Sequence, residues 1–136
     1  MVFIMMDSDI KNNLIELATN AYKNSYAPYS KFYVGAALLT ELGGTYTGCN
    51  VENVSYGLTI CAERNAIFQA IAKEGRSTKI KIIVIANEKP CSPCGACRQV
   101  IAEFCTSDTI IIYRSDKGYA EKTLAELLPD SFNLDL

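Results

Sequence analysis

A chain of 136 residues, 49% of them hydrophobic, has the size and apolar content of one domain folded around one core. Its 13 Lys and Arg against 15 Asp and Glu leave a net charge of -2 and no basic cluster, which argues against a nucleic acid partner and points to a small molecule. No apolar run reaches the roughly 20 residues of a membrane span, and Met1 to Met6 is too short and too poor in Lys and Arg for a secretory signal, so a cytoplasmic protein is expected.

The opening hexapeptide leaves Met1, Met5 and Met6 all open as starts, and it reads as a frayed end without a functional role. Ser8 or Asp9 is placed to cap a helix whose apolar positions Ile10, Leu14, Leu17, Ala21 and Tyr22 recur at steps of three and four, ending before Pro28. Lys31 to Leu39 reads as a strand, Glu41 to Gly44 as a turn and Thr45 to Cys49 as the returning strand of a hairpin. Gly35, Ala36 and Ala37 leave so little bulk in mid-strand that another backbone should approach closely there. Asn50 to Gly57 is a polar loop, either functional or bonded only to its own backbone.

From Cys61 the pattern turns helical, with Ala62, Ala66, Ile67, Ala70 and Ile71 on one side and Glu74-Gly75 at the end. Ile80 to Ala86 is a buried central strand, a second helix starts near Cys94 with Val100, Ile101 and Phe104 inward, and Thr109 to Tyr113 is the next strand. Right-handed crossovers between parallel strands would lay the two helices on one face, with their N-termini at the carboxyl edge of the sheet, where α/β proteins bind ligands. Asp116 to Gly118 turns into a short strand from Tyr119, and Leu124 to Leu128 is a turn or two of helix. The tail from Asp130 keeps Phe132 and two leucines, which suit a docked segment better than a free one.

The chemistry lies in the cysteines. The chain has six of them and no histidine, so a transition-metal site must be built mainly from thiolate, and in a reducing compartment metal binding is favoured over disulfides. Cys61 at one helix start, and Cys94 and Cys97 in the first turn of the other, sit in the positive field of helix N-termini, which favours the thiolate. Three sulfurs leave the fourth tetrahedral place of a zinc ion open, as in catalytic sites. Cys91 keeps an alternative alive, because with Cys61, Cys94 and Cys97 it could complete a non-enzymatic four-cysteine cage or hold an iron–sulfur cluster. Cys49 and Cys105 read as small buried side chains. Glu63, two residues past the first ligand, is near enough to act on a metal-activated water; its ordinary reading is an acid at a helix start. Arg64 would offset the excess charge of three thiolates, or else form a surface charge pair.

Tyr29-Ser30-Lys31-Phe32-Tyr33-Val34-Gly35-Ala36-Ala37-Leu38, Asn50-Val51-Glu52-Asn53, Cys61-Ala62-Glu63-Arg64 and Pro93-Cys94-Gly95-Ala96-Cys97-Arg98-Gln99 together resemble the short, homotetrameric class of cytidine deaminases, from Tyr26 to about Leu128. Zinc deaminases as a group carry such a glutamate and Pro-Cys-x-x-Cys signature. The resemblance implies a three-layer α/β/α sandwich around a five-stranded mixed sheet, spanning residues 1–136 as one catalytic domain. It implies one zinc per chain on Cys61, Cys94 and Cys97, with Glu63 as the proton-transferring residue. Phe32 would stack on the pyrimidine, Asn50 and Glu52 would bind the sugar 3'-hydroxyl, and the Ala62 backbone would hydrogen-bond the base. Tyr56 and Phe132 would be offered to a neighbouring subunit's site. The implied reaction is hydrolytic deamination of cytidine and deoxycytidine in pyrimidine salvage. A same-fold deaminase of another aminopyrimidine, such as blasticidin S, is the nearer alternative, and the Asn50 and Glu52 pair favours the plain nucleoside.

Overall fold

The computed structural model describes residues 2–134. Its elements follow in the order α1 (Val2–Tyr22), β1 (Gly35–Thr40), β2 (Thr45–Cys49), a single 3-10 turn (Tyr56–Leu58), α2 (Ala62–Glu74), β3 (Ile80–Ala86), α3 (Gly95–Phe104), β4 (Cys105–Ser115), β5 (Gly118–Lys122) and α4 (Leu124–Leu127). The five strands form one mixed sheet ordered β2-β1-β3-β4-β5, in which β3 and β4 run parallel and every other pair is antiparallel.

Strand alternation sends alternate side chains of β3 to opposite layers. Ile83 and Ile85 join Ala66, Ile67 and Ala70 of α2 and Ile101 of α3 in one core; Ile82, Val84 and Ala86 meet Leu14 and Ala18 of α1 in the other. The α/β/α sandwich implied by the resemblance is therefore present. Because the β2 to β3 and β3 to β4 crossovers advance across the sheet in one direction, α2 and α3 share a face, and both helices begin at the edge where β3 ends.

The close approach expected at the small residues is real, and two glycines define it. A Cβ on Gly35 would collide with the Ala18 carbonyl oxygen of α1. One on Gly48 would lie 2.5 Å from the Ala66 nitrogen and 2.6 Å from the Ala62 oxygen, so the first turn of α2 rests directly on β2. Asn65 strengthens that seat by donating to the Cys49 carbonyl at 2.8 Å.

Three boundaries differ from the expected ones. Ser8 and Asp9 lie inside α1 and cap nothing, since no residue before them breaks a helix. Lys31 to Val34 is not strand: Lys31 has φ of 58°, in the left-handed region, and the segment is bound by side chains of the 50–52 loop instead. Strand β4 starts at Cys105, directly after α3, pairing Cys105 with Ile80 across an irregular step before regular pairing resumes at Ile110. In the tail, Phe132 is 71% exposed and Leu134 also faces solvent, so within this chain neither docks; Leu136 lies outside the described residues.

Candidate active site

The two crossovers deliver the cysteines to one point. Cys61 is the N-cap of α2 and Cys94 that of α3, each in extended backbone without a side-chain cap bond, and Cys97 follows one turn into α3. The Sγ atoms of Cys61, Cys94 and Cys97 all lie within 4.8 Å of one another, and Cys61 and Cys94 are 3.9 Å apart. Tetrahedral sulfur ligands at about 2.3 Å from zinc are separated by about 3.8 Å along each edge, so the spacing suits the ion with little adjustment. The electropositive first turns of both helices surround these sulfurs.

Charge is arranged accordingly. The Cys61 thiol is pulled down to about 5, first by its hydrogen bond with Cys97 and then by Arg64, whose Nη2 donates to the Cys61 sulfur at 3.3 Å. Cys97 moves the opposite way, chiefly because it is the donor of that shared proton and is buried. A dication would displace the proton and bind both as thiolates. Arg64 holds its own proton more firmly because of the Cys61 sulfur, yet its Nε is buried with no acceptor. An orphaned donor of that kind costs roughly 1 to 3 kcal/mol, which a plain surface charge pair would avoid.

Glu63 is 3% exposed, and burial pushes its carboxyl up to about 7, with the Cys61 charge adding to the effect. A carboxyl poised near neutrality can both take and return a proton. Cys91 stands apart: it is not one of the clustered sulfurs, it packs half-buried against the core, and burial pushes its thiol up to about 11. Its amide is tied to the Arg114 carbonyl at 2.9 Å. Among the described residues the metal cluster is thus three cysteines, as the open-site reading requires, and not a four-cysteine cage.

Of the other residues named from sequence, Phe32 lies on the segment before β1, Asn50, Glu52 and Tyr56 on the segment after β2, and Ala62 opens α2 next to Cys61. Asn50, 7% exposed, accepts from the Val34 amide at 2.9 Å and donates to the Phe32 carbonyl at 2.7 Å, leaving one N–H and one lone pair for anything else. The Glu52 carboxylate accepts from the Tyr29 and Ser30 amides at 3.0 and 3.1 Å and from the Ser30 hydroxyl, which hold it below the usual carboxylate range. Tyr29, Ser30, Glu52, Tyr56 and Thr59 line a cavity of about 250 Å³. Phe32 is at the surface, Ala62 is fully buried at the start of α2, and Tyr56 is 73% exposed with its ring edge-on to Tyr29, centroids 5.6 Å apart.

Sequence reasoning missed two sets of contacts. Ser30 is in sequence only one position of the Tyr29 to Leu38 motif, yet it connects Glu52 to the Phe32 backbone. Arg98 and Gln99, directly after the third cysteine, tie the metal helix to the chain end: Arg98 donates to the Pro93 and Leu127 carbonyls, both at 2.7 Å, and Gln99 to the Phe132 carbonyl at 2.9 Å. The signal was their position in the cysteine motif, which pointed to the metal and hid their link to the tail.

Comparison with known proteins agrees with this geometry. Residues 8–113 match the cytidine and deoxycytidylate deaminase zinc-binding region. The chain is 50% identical over 121 residues to a cytidine deaminase of Sporosarcina psychrophila, covering 88% of this chain and 89% of that one. It is 49% identical over 124 residues to the cytidine deaminase of Halalkalibacterium halodurans, covering 90% and 93%. The crystal structure of cytidine deaminase from Burkholderia pseudomallei superposes with a TM-score of 0.80 at 42% identity, over 89% of this chain and 98% of that one. With its three-sulfur zinc site, its buried glutamate and these likenesses over most of its length, the chain belongs to the cytidine deaminase family.

Proposed function

We propose that this protein hydrolyses cytidine and deoxycytidine to uridine and deoxyuridine, releasing ammonia. The observation that carries the proposal is the buried Glu63 carboxyl one residue from the first turn's Arg64 and two from Cys61, beside the three clustered sulfurs. Cys61, Cys94 and Cys97 would hold zinc, which supplies the Lewis acidity that brings water toward ionisation near neutral pH.

Glu63 then acts as the proton carrier. It accepts a proton from the attacking water and delivers it to ring nitrogen 3, making carbon 4 electrophilic as the new carbon–oxygen bond forms. It next moves the water's second proton to the exocyclic amine; the carbon–nitrogen bond breaks, ammonia leaves, and the carbonyl of uridine remains. Phe32 stacks on the pyrimidine, the buried Ala62 backbone hydrogen-bonds it, and Asn50 and Glu52 receive the sugar 3'-hydroxyl. Arg64 balances the thiolate charge.

The working unit in this proposal is a homotetramer. Val54, Tyr56, Leu58 and Phe132 are large apolar groups left exposed, as surfaces that meet another subunit are. Tyr56 and Phe132 would enter an adjacent copy's site, with closed symmetry letting each copy give and receive. No helix among the described residues is long and apolar enough to cross a membrane. A cytoplasmic role in pyrimidine salvage fits the substrate.

Ammonia release from cytidine, deoxycytidine and blasticidin S by the zinc-loaded protein tests the substrate, and sedimentation with activity measured across a dilution series tests the assembly. Ammonia from both nucleosides, with specific activity falling as subunits separate, is expected. Release from blasticidin S alone would overturn the substrate reading, and a fully active monomer the assembly.

A further inference from the structure

Phe32 stands on a turn that does not hold itself. Lys31 adopts φ of 58°, which a residue with a Cβ resists, and the turn has one internal backbone bond, from the Lys31 amide to the Ala27 carbonyl at 3.0 Å. What restrains the rest is a side-chain relay. The Ser30 hydroxyl donates to the Glu52 carboxylate and accepts from the Phe32 amide at 3.0 Å, while the Tyr29 and Ser30 amides close on the other carboxylate oxygen. Asn50 grips the Phe32 carbonyl from the far side.

We propose that Ser30 is a positioning residue, whose hydroxyl passes the hold of Glu52 to the Phe32 backbone and so fixes the ring that receives the base. The inference rests on the proposed stacking of Phe32 against the pyrimidine. One oxygen does both jobs, because a hydroxyl donates and accepts at once. Alanine can do neither and threonine can do both. The same carboxylate that meets the sugar thus sets the platform for the base, so the pocket's recognition of the two halves of a nucleoside is joined through Ser30.

Two readouts separate the relay from the stacking. The chain has no tryptophan, so in a Phe32→Trp background the single indole reports on this turn alone. Adding Ser30→Ala should lower its fluorescence anisotropy, and adding Ser30→Thr should leave it high; anisotropy indifferent to Ser30→Ala would overturn the relay. With native Phe32, Ser30→Ala should raise KM for cytidine about tenfold, the scale of one hydrogen bond to a charged group, with kcat within about threefold. Ser30→Thr should recover KM, and Ser30→Ala should add less to the KM of Phe32→Ala than to that of the parent, because the part of its effect that passes through the ring is already lost. Multiplying effects in that double variant would overturn the positioning role. Lower anisotropy with an unchanged KM would keep the relay and remove the stacking of Phe32 instead.

Discussion

Gly48→Ala is the substitution that most directly probes how β2 seats the catalytic helix. The new methyl would lie 2.5 Å from the Ala66 nitrogen and 2.6 Å from the Ala62 oxygen, whereas ordinary contacts of this kind need roughly 3.5 Å. Helix α2 must therefore retreat by about 1 Å, and since both obstacles are backbone, no side chain can rotate out of the way. Overpacking of a core costs about 1 to 3 kcal/mol, and two rigid contacts place this case near 3. For a domain of 136 residues, in which each kcal/mol moves the melting temperature by about 3 to 4 °C, that is a fall of roughly 10 °C. The larger effect should be functional, because Cys61, Glu63 and Arg64 all ride on the displaced turn, and a misplacement of about 1 Å can cost a hundredfold in rate. Thermal melts, zinc content and kcat/KM of the parent and the Gly48→Ala protein measure the two effects side by side. A Gly48→Ala protein that melts within about 2 °C of the parent and keeps kcat/KM within about threefold would refute the seating of α2 on β2.

Three further substitutions address the metal centre. Cys94→Ala should lose zinc and some folding free energy with it, while Cys91→Ser should retain one zinc per chain by metal analysis; loss of zinc from the latter would restore the four-cysteine cage. Arg64→Gln should lower kcat more than it lowers the melting temperature, since the guanidinium donates to a ligand sulfur and leaves its own Nε without an acceptor; an unchanged rate would make Arg64 a surface charge.

Much of this architecture was legible before any coordinates. Ile80 to Ala86 is read as a central strand because an apolar run of seven interrupted only by Lys81 has no polar face for a helix to show, and the structure buries all of it but Lys81. Cys61 and Cys94 are read as helix starts because apolar periodicity of the helical kind begins just after each, and both prove to be N-caps. The metal ligands follow from spacing plus the absence of histidine. Lys31 to Val34 misleads because its alternation mimics strand, while what decides its shape is a carboxylate and an amide some twenty positions on. Long-range side-chain bonds of this sort leave no local pattern. The same holds for Arg98 and Gln99, whose partners are carbonyls of the chain end, and a backbone carbonyl gives no residue-type signal at all. Cys105 to Asp108 carries no local strand pattern, and pairing with β3 is what recruits Cys105 into β4.

The role proposed for Glu63, carrying protons beside a three-thiolate zinc, is open to the most direct test. Turnover of cytidine by Glu63→Gln, with zinc content and thermal melting measured on the same preparation, tests it. The amide fills the buried space but cannot shuttle a proton, so turnover should fall by at least about a hundredfold while one zinc per chain and the melting transition persist. Turnover equal to that of the parent protein would contradict the role assigned to Glu63.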